Sequence, residues 1–452
     1  MSGTTPGSTF PGSATSDGTT HDVIAVGSGP FNLGLAALAS TVDGLDLIVL
    51  ESEAELRWHP GIMLDDAMLQ VSFLADLVTL VDPTHPLSFL AYLRDADRMY
   101  PFYIREQFHP SRREYEDYLR WAAAQLPAVR FSHHVDAVRW DDEQETFVVD
   151  ATRGDGVTLT LRGRHLVVGI GTESAIAPSL AGLPADRLVH TEHYLHRQDD
   201  VAAARDVTVV GSGQSGAEVA LDVLRRNVAG GPALTWLTRT ESFAPLDYTK
   251  LVLEMTTPAY VEYFHGLPET VRDRLVAGQW RHYKGISEET IAEIHGLLYQ
   301  RELDHGLAPV ELRSGVAVSG AAVDESGRVV LSCRHTDSGQ VFRHETDLVI
   351  AATGYRERRP AFLEAIDELL GRDAAGRLQV RLDHSVEPTR SMRGRVFVAN
   401  ADLHSHGVAA PDLGIGAYRN ATILNSITGR EVYHLPKRTA FSRFEIPGRD
   451  TA

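Results

Sequence analysis

The stretch HDVIAVGSGPFNLGLAALASTVDGLDLIVLE, His21 to Glu51, decides the fold. Asp22 to Val26 is a short β-branched run of the kind that forms a buried parallel strand. Gly27, Gly29 and Pro30 then turn the backbone sharply, and Leu33 to Leu38 opens an apolar helix. Leu45 to Leu50 reads as a second strand, ending in Glu51. Strand, glycine turn, helix, strand and acid in that order describe a dinucleotide cradle. Gly27 makes the tight turn. Gly29 lets the backbone approach a pyrophosphate at the helix N-terminus, where free N–H groups and the helix dipole favour negative charge. Glu51 is placed to accept hydrogen bonds from a ribose. Asn32 stands where the third glycine of a GxGxxG pattern is expected.

The same logic recurs further along the chain. Asp206 to Val210 is a strand, Gly211, Gly213 and Gly216 complete a full GxGxxG turn containing Ser215, and Ala217 to Leu224 opens a helix. Two cradles in one chain predict two dinucleotides, a far more specific signal than either motif alone. The strand that follows, Ala233 to Leu237, ends in Thr238 and Arg239 with no carboxylate at its tip. An acid there repels a 2′-phosphate, whereas Arg239 can pair with one bidentately, so NADPH is expected over NADH.

At 452 residues the chain is long enough for two or three domains. A formal charge of −18 disfavours nucleic acid and anionic membrane surfaces as partners. The single cysteine, Cys333, allows no disulfide framework, no CxxC redox pair and no cysteine-rich metal site, and it reads as a filler residue in a strand. Residues 1–20 are mostly Gly, Ser, Thr and Pro, without the basic start and apolar core of a targeting signal, and are expected to be a disordered tail. No apolar run reaches the ~18 residues of a membrane span, so a cytoplasmic protein is expected.

Between the cradles, the segment after Glu51 is too rich in proline for the next strand and reads as an insertion. Helices are expected at Leu87 to Leu93 and Arg112 to Leu126, and an antiparallel accessory sheet at Val129 to Val138, Thr146 to Ala151 and Thr158 to Leu161. His165 to Gly171 is a further buried strand. After the second cradle, residues 243–303 turn helical and aromatic, with Ser287 capping a helix over Thr290 to Leu298. Val310 to Ser314, Val316 to Val318 and Val329 to Arg334 are short strands, Asp347 to Ala351 and Val396 to Ala399 are buried ones, and Ala417 to Ile427 is a closing helix. The fold class is α/β, with two Rossmann-like dinucleotide-binding domains and a small helical insertion. The first domain is expected over 21–200 and 385–440, the second over 201–384.

Several segments carry a resemblance: GSGPFNLGLA (27–36), WHPGIML (58–64), LQVSFLADLVTLVDPTHPLSFLAYL (69–93), GSGQSGAEVA (211–220), ATGY (352–355) and HGVAAPDLGIGAYR (406–419). From about Asp22 to Arg430 the chain resembles the N-hydroxylating flavin monooxygenases of siderophore biosynthesis, which act on ornithine, lysine or diamines. The resemblance implies FAD in the first cradle and NADPH in the second, with O₂ as co-substrate. Hydride passes from NADPH to FAD, oxygen is held as a C4a-hydroperoxide, and the neutral terminal amine of a small aliphatic substrate attacks it. It also implies a homo-oligomer, a dimer or a tetramer.

For the residues, the resemblance implies cofactor contacts at Gly27, Gly29, Pro30, Asn32, Glu51, Trp58, His59 and Gln70. In the second half these are Gly211, Gly213, Ser215, Arg239, Thr353, Gly354, Tyr355, His406, Asp412 and Leu413. Gln70 is the side chain expected beside the flavin, as the candidate catalytic residue. Substrate contacts are expected at Ala75, His282, Tyr283 and Lys284. The amino-acid hydroxylases of this family usually carry lysine at the Ala75 position, where it pairs with the substrate α-carboxylate, and an asparagine where His282 precedes Tyr283. An α-carboxylate buried without its cation is costly. A diamine such as cadaverine or putrescine is therefore favoured over lysine or ornithine, with Lys284 as the carboxylate partner if lysine is the substrate. His404 and His406 lie near Asp402, but no third ligand is identifiable and no metal site is expected. A disulfide reductase is disfavoured for want of a second cysteine. A dinucleotide-binding sensor is the alternative outside enzymology.

Overall fold

A computed structural model describes residues 18–227, 231–304 and 307–445. The expected tail lies, up to residue 17, outside the described residues. The first strand begins at Thr20 and runs to Val26, and Leu47–Leu50 pairs with it in parallel, buried at every position. Between them the first cradle helix, Pro30–Ala39, places proline in its first turn, where a missing N–H costs nothing.

Around these two strands a seven-stranded sheet is built, with Val129–Arg130 at one edge. Its far half corrects one expectation. The accessory sheet is not separate, because Thr158–Val168 is one long strand that serves two structures. One side of it pairs in parallel with Thr20–Val26. On the other side its first half pairs antiparallel with Thr146–Arg153, and its second half pairs in parallel with Val396–Val398. The predicted strand at 129–138 is likewise broken. Ser132 takes a left-handed conformation (φ 56°), leaving Val129–Arg130 parallel to the cradle sheet while His133–Asp141 turns away to pair antiparallel with Thr146–Arg153.

The second sheet has five parallel strands in the order Val310–Arg313, Ala233–Leu237, Asp206–Val210, Leu348–Ala351, Leu188–His190. Leu188–His190, which lies ahead of residue 201, belongs to this sheet. The second cradle helix is Gln214–Arg226. A three-stranded antiparallel meander, Val316–Val323, Val329–His335 and Val341–Thr346, precedes the return strand, with Cys333 buried in its middle strand.

Two connecting segments shape the space between the sheets. In the first, Asp76 is 4 % exposed, and its carboxylate accepts the N–H groups of Val78, Thr79 and Phe89 and the Thr79 hydroxyl. One side chain thus folds the SFLADLVTL loop onto the start of helix Phe89–Asp95, itself capped by Ser88. In the second, Ser287 accepts the Thr290 N–H and caps Glu288–Arg301, whose Ile294 packs into the core under the second cradle. The closing helix, Gly416–Thr428, lies against the first cradle helix, where Asn420 Nδ2 donates to the Phe31 carbonyl at 2.8 Å. No helix among the described residues is long and apolar enough to cross a membrane.

Candidate active site

At the first cradle Gly27 has φ 89°, and a Cβ there would lie 2.6 Å from the Gly169 carbonyl oxygen on the neighbouring strand. Only glycine turns this tightly against that strand. A Cβ at Gly29 would meet nothing within 4 Å, so the space before the helix N-terminus is open. It belongs to a cavity lined by Ser28, Gly29, Pro30, Glu51, Trp58 and Leu119. Glu51 Oε2 accepts the Ser28 N–H at 2.7 Å, and Oε1 accepts the Glu53 N–H at 2.9 Å. The strand-tip acid thus holds the turn in shape while its carboxylate stays at the rim of the cavity.

Asn32 is 1 % exposed and donates Nδ2 to the Val26 and Gly27 carbonyls, both at 2.9 Å. It ties the strand end to the helix, and its buried Oδ1 has no partner. Gln70 shows a comparable gap: its Nε2 is buried without a hydrogen-bond acceptor. An amide donor left unpaired costs roughly 1–3 kcal/mol unless a bound group satisfies it. The open space at Gly29 would hold the pyrophosphate of a flavin dinucleotide, and the orphaned Gln70 donor would be satisfied by a bound group. Trp58 packs on Tyr115, ring centroids 5.4 Å apart, and on His59, which has a left-handed backbone (φ 53°) and caps the turn Pro60–Ile62.

The second cradle repeats the first: Gly211 has φ 117°, and its Cβ would lie 2.1 Å from the Ala352 carbonyl oxygen. Gly216 packs so close that a Cβ would sit 2.6 Å from the Gly211 oxygen. Arg239 is exposed beyond the strand tip and has no ion-pair partner among the described residues. Lys284, expected on the substrate side, has its carbonyl oxygen 3.5 Å from a Cβ built at Gly213. Burial, with the nearby Arg239 guanidinium, pushes its ammonium pKa down. The Lys284 backbone thus approaches the second cradle turn, and Arg239 beyond the strand tip fits the extra phosphate of NADPH. Tyr283 stacks beneath the Lys284 ammonium at 5.2 Å, and His282 holds a buried, unpartnered Nδ1.

The Tyr355 phenol lies beside Thr191 and Ser215 of the second turn, and burial raises its pKa. Gly354 accepts the Ala175 N–H at 2.9 Å, and Thr353 bonds the Ala175 carbonyl.

His406 is 1 % exposed, and its ring is engaged by Ser405 and by Asp402. Its Nε2 also faces the Leu382 carbonyl at 3.4 Å. A third group that sequence spacing could not reveal, His384, completes a buried His384–Asp402–His406 cluster. The two imidazole rings are stacked, centroids 4.1 Å apart and 21° between planes, so they cannot both direct an in-plane lone pair at one ion. Arg419, wholly buried, lies 3.9 Å from Asp402 and 4.5 Å over the Phe31 ring. Burial alone raises Asp402, but Arg419 and the two histidines outweigh it and hold the carboxyl well below its usual range. Burial pushes both histidines down, leaving one Arg–Asp pair flanked by neutral rings.

The surroundings of Ala75 have a different chemistry. Ala75 is 6 % exposed, and its Cβ lies 4.0 Å from a Cβ built at Gly414. Asp412 caps the Leu413–Ile415 turn by accepting the Gly414 N–H at 2.6 Å. Burial pushes its carboxyl up to about 6, against the pull of that bond and of Arg419. Burial and the Asp412 charge together raise the Tyr248 phenol. Tyr260 and Tyr263 pack against Phe444 of the C-terminal segment.

The family model for L-lysine 6-monooxygenase/L-ornithine 5-monooxygenase matches residues 19–357. A putrescine N-hydroxylase of Shewanella oneidensis is 38 % identical over 430 residues, covering 95 % of this chain and 85 % of its own. Among solved structures, the FAD-bound cadaverine monooxygenase DfoA of the desferrioxamine pathway of Erwinia amylovora is 39 % identical. It superposes with a TM-score of 0.91 over 95 % of this chain and 99 % of its own. The ornithine N-hydroxylase KtzI of Kutzneria sp. 744, with reduced FAD, NADP⁺ and L-ornithine, superposes at 0.82, with 26 % identity over 91 % of this chain and 99 % of its own.

Proposed function

Since the chain belongs to the L-lysine 6-monooxygenase/L-ornithine 5-monooxygenase family, we propose that it N-hydroxylates one terminal amine of an aliphatic diamine, cadaverine or putrescine, in hydroxamate siderophore biosynthesis. Bound FAD and NADPH supply oxygen activation and reducing equivalents. The seven-stranded sheet carries FAD at Gly27 to Asn32 and Glu51, and the five-stranded sheet carries NADPH at Gly211 to Gly216 and Arg239. The protein's own task is to orient the substrate and to present a neutral amine. A free alkylamine is less than ~0.1 % neutral at pH 7, and an apolar, water-excluding site favours the neutral form by desolvation. Gln70 offers an unpaired amide donor at that site.

The reading is carried by Gly414, against which the Ala75 methyl and the Asp412 carboxyl both lie. A small apolar residue, a carboxyl and a phenol brought together in this way suit the second ammonium of a diamine. An α-carboxylate there would face the Asp412 carboxyl, and the nearby Arg419 is already shared between Asp402 and Asp412. Asp412→Asn should lower kcat/KM for cadaverine and putrescine by about 10–100-fold, the worth of one charged hydrogen bond of roughly 1.5–3 kcal/mol. The pH dependence follows from the raised carboxyl. Below about 6 Asp412 is protonated and offers no counter-charge, so kcat/KM for the diamine should rise as pH passes through about 6. That break should vanish in Asp412→Asn. Hydroxylamine formation measured with cadaverine, putrescine, lysine and ornithine tests the reading. A kcat/KM for lysine at or above that for both diamines defeats it.

A further inference from the structure

One face of the second cradle helix is stitched to both of its neighbours. Gln214, Glu218 and Arg225 lie on that face at helical spacing. Glu218 receives both Nη groups of Arg112, at 2.9 and 2.7 Å, across 106 residues of sequence. Arg112 opens the helix Arg112–Ala124, which packs against the first cradle helix. Gln214, the first residue of the second cradle helix, donates Nε2 to Glu218 at 2.8 Å and to the Thr290 hydroxyl at 3.2 Å. Its Oε1 accepts the Ser287 N–H at 2.8 Å. A continuous chain thus runs from the flavin-side helix, through the turn at which a nucleotide would bind, to the cap of helix Glu288–Arg301. Arg225 makes a second bridge from the same face, to Asp66 in the segment that follows the first cradle and to Glu293 of helix Glu288–Arg301.

The two bridges differ in burial, and that decides between them. Arg112 and Glu218 are 15 % and 6 % exposed, while Arg225, Asp66 and Glu293 are 35, 52 and 45 % exposed. An exposed pair is screened and holds geometry weakly, whereas a buried bidentate pair with its remaining lone pairs filled permits one arrangement. We infer that Arg112, Glu218 and Gln214 are positioning residues that hold the NADPH cradle in register with the flavin-side helix, so that reduction of the flavin depends on this pair. The inference rests on the assignment of the two cradles to FAD and NADPH. It makes no use of which amine is hydroxylated.

The test uses the FAD-loaded enzyme and three readouts: FAD content from the visible spectrum, NADP⁺ affinity by calorimetry, and anaerobic bleaching of the flavin by saturating NADPH. In Glu218→Gln and Arg112→Gln, FAD content should be unchanged and the NADP⁺ Kd should stay within about three-fold. Bleaching should slow by about ten-fold or more, since a misplacement of ~1 Å can cost on the order of 100-fold. The double exchange Arg112→Glu with Glu218→Arg should restore bleaching to within about three-fold, and Asp66→Asn should leave it within about two-fold. Bleaching at the parental rate in a folded Glu218→Gln enzyme overturns the inference. So do equal losses in Asp66→Asn, or a loss confined to NADP⁺ affinity. If the single variants fail to fold, the double exchange decides: one that folds but bleaches slowly overturns it. A parental enzyme that binds FAD and is not reduced by NADPH would instead defeat the assignment of the cradles.

Discussion

The two cradles share a backbone and differ in how each is filled. Both begin with a left-handed glycine pressed on a neighbouring strand, Gly27 on Gly169 and Gly211 on Ala352. At the third position of the pattern they diverge. Gly216 lets the helix close on the Gly211 carbonyl by contact alone, whereas Asn32 reaches the equivalent Gly27 carbonyl with a hydrogen bond and takes the Val26 carbonyl as well. They diverge again at the strand tip. In the first, the Glu51 carboxylate receives the Ser28 N–H, while in the second the Ser212 hydroxyl bonds the Thr238 hydroxyl at 2.7 Å. A carboxylate at the rim suits ribose hydroxyls. A neutral hydroxyl pair with Arg239 beyond it leaves room for a phosphate.

The largest effects should come from filling each cradle in turn. Gly29→Val places a branched side chain in the open space before the first helix. The protein should purify without yellow colour, whereas Gly213→Val should keep its FAD and lose NADP⁺ binding. The visible spectrum and a nucleotide titration separate the two. Stoichiometric FAD in Gly29→Val would show that the cradle is misplaced.

Next in size is the exchange of one cradle's device for the other's. Asn32→Gly removes two hydrogen bonds of about 1 kcal/mol each and adds a helical glycine, a loss of roughly 2–3 kcal/mol in stability. It should appear as a lower denaturant midpoint with weaker FAD retention. An unchanged midpoint would mean that the third position is interchangeable and the contrast empty. Smaller again, Arg239→Ala should raise the NADPH KM by about ten-fold and leave NADH nearly unchanged, the worth of one charged hydrogen-bond pair. Equal losses with both nucleotides would remove Arg239 from the comparison.

Local signals explain which features could be read in advance. The strands and helices of both cradles follow from apolar runs punctuated by glycine, and their boundaries shift by only a few residues. Features built from sequence-distant groups were not legible. Thr158–Val168 reads as two strands because its polar middle, Arg162 to Arg164, breaks the apolar run. The chain continues through it because both partners supply backbone pairing. His384 carries no motif, yet it completes the cluster on Asp402. Glu218 lies inside the quoted GSGQSGAEVA segment, but its meaning depends on Arg112, which folding alone brings to it. Lys284 sits beside Tyr283 in the helical insertion, and proximity in sequence suggested the substrate. The close approach of that loop to Gly213, which folding alone creates, brings its backbone to the second cradle turn.

The smallest effect tests that last placement. Lys284 has no ion-pair partner among the described residues, and its ammonium is pushed down by burial and by Arg239. An anion bound between the two cations relieves their repulsion, so Lys284 adds to the affinity for a 2′-phosphate. As a single point charge it adds less than the bidentate Arg239. Lys284→Met keeps the aliphatic stem over the Tyr283 ring and removes the charge. The NADPH KM should rise by about two- to five-fold, consistent with the roughly 0.2–1 kcal/mol of an exposed pair. The amine KM should stay within about two-fold, and with Arg239→Ala already present the further loss should be smaller, because the two cations share one anion. A Lys284→Met enzyme with an unchanged NADPH KM and a raised amine KM would return this residue to the substrate. The contrast between the cradles would then rest on Arg239 and the Ser212–Thr238 hydroxyl pair alone.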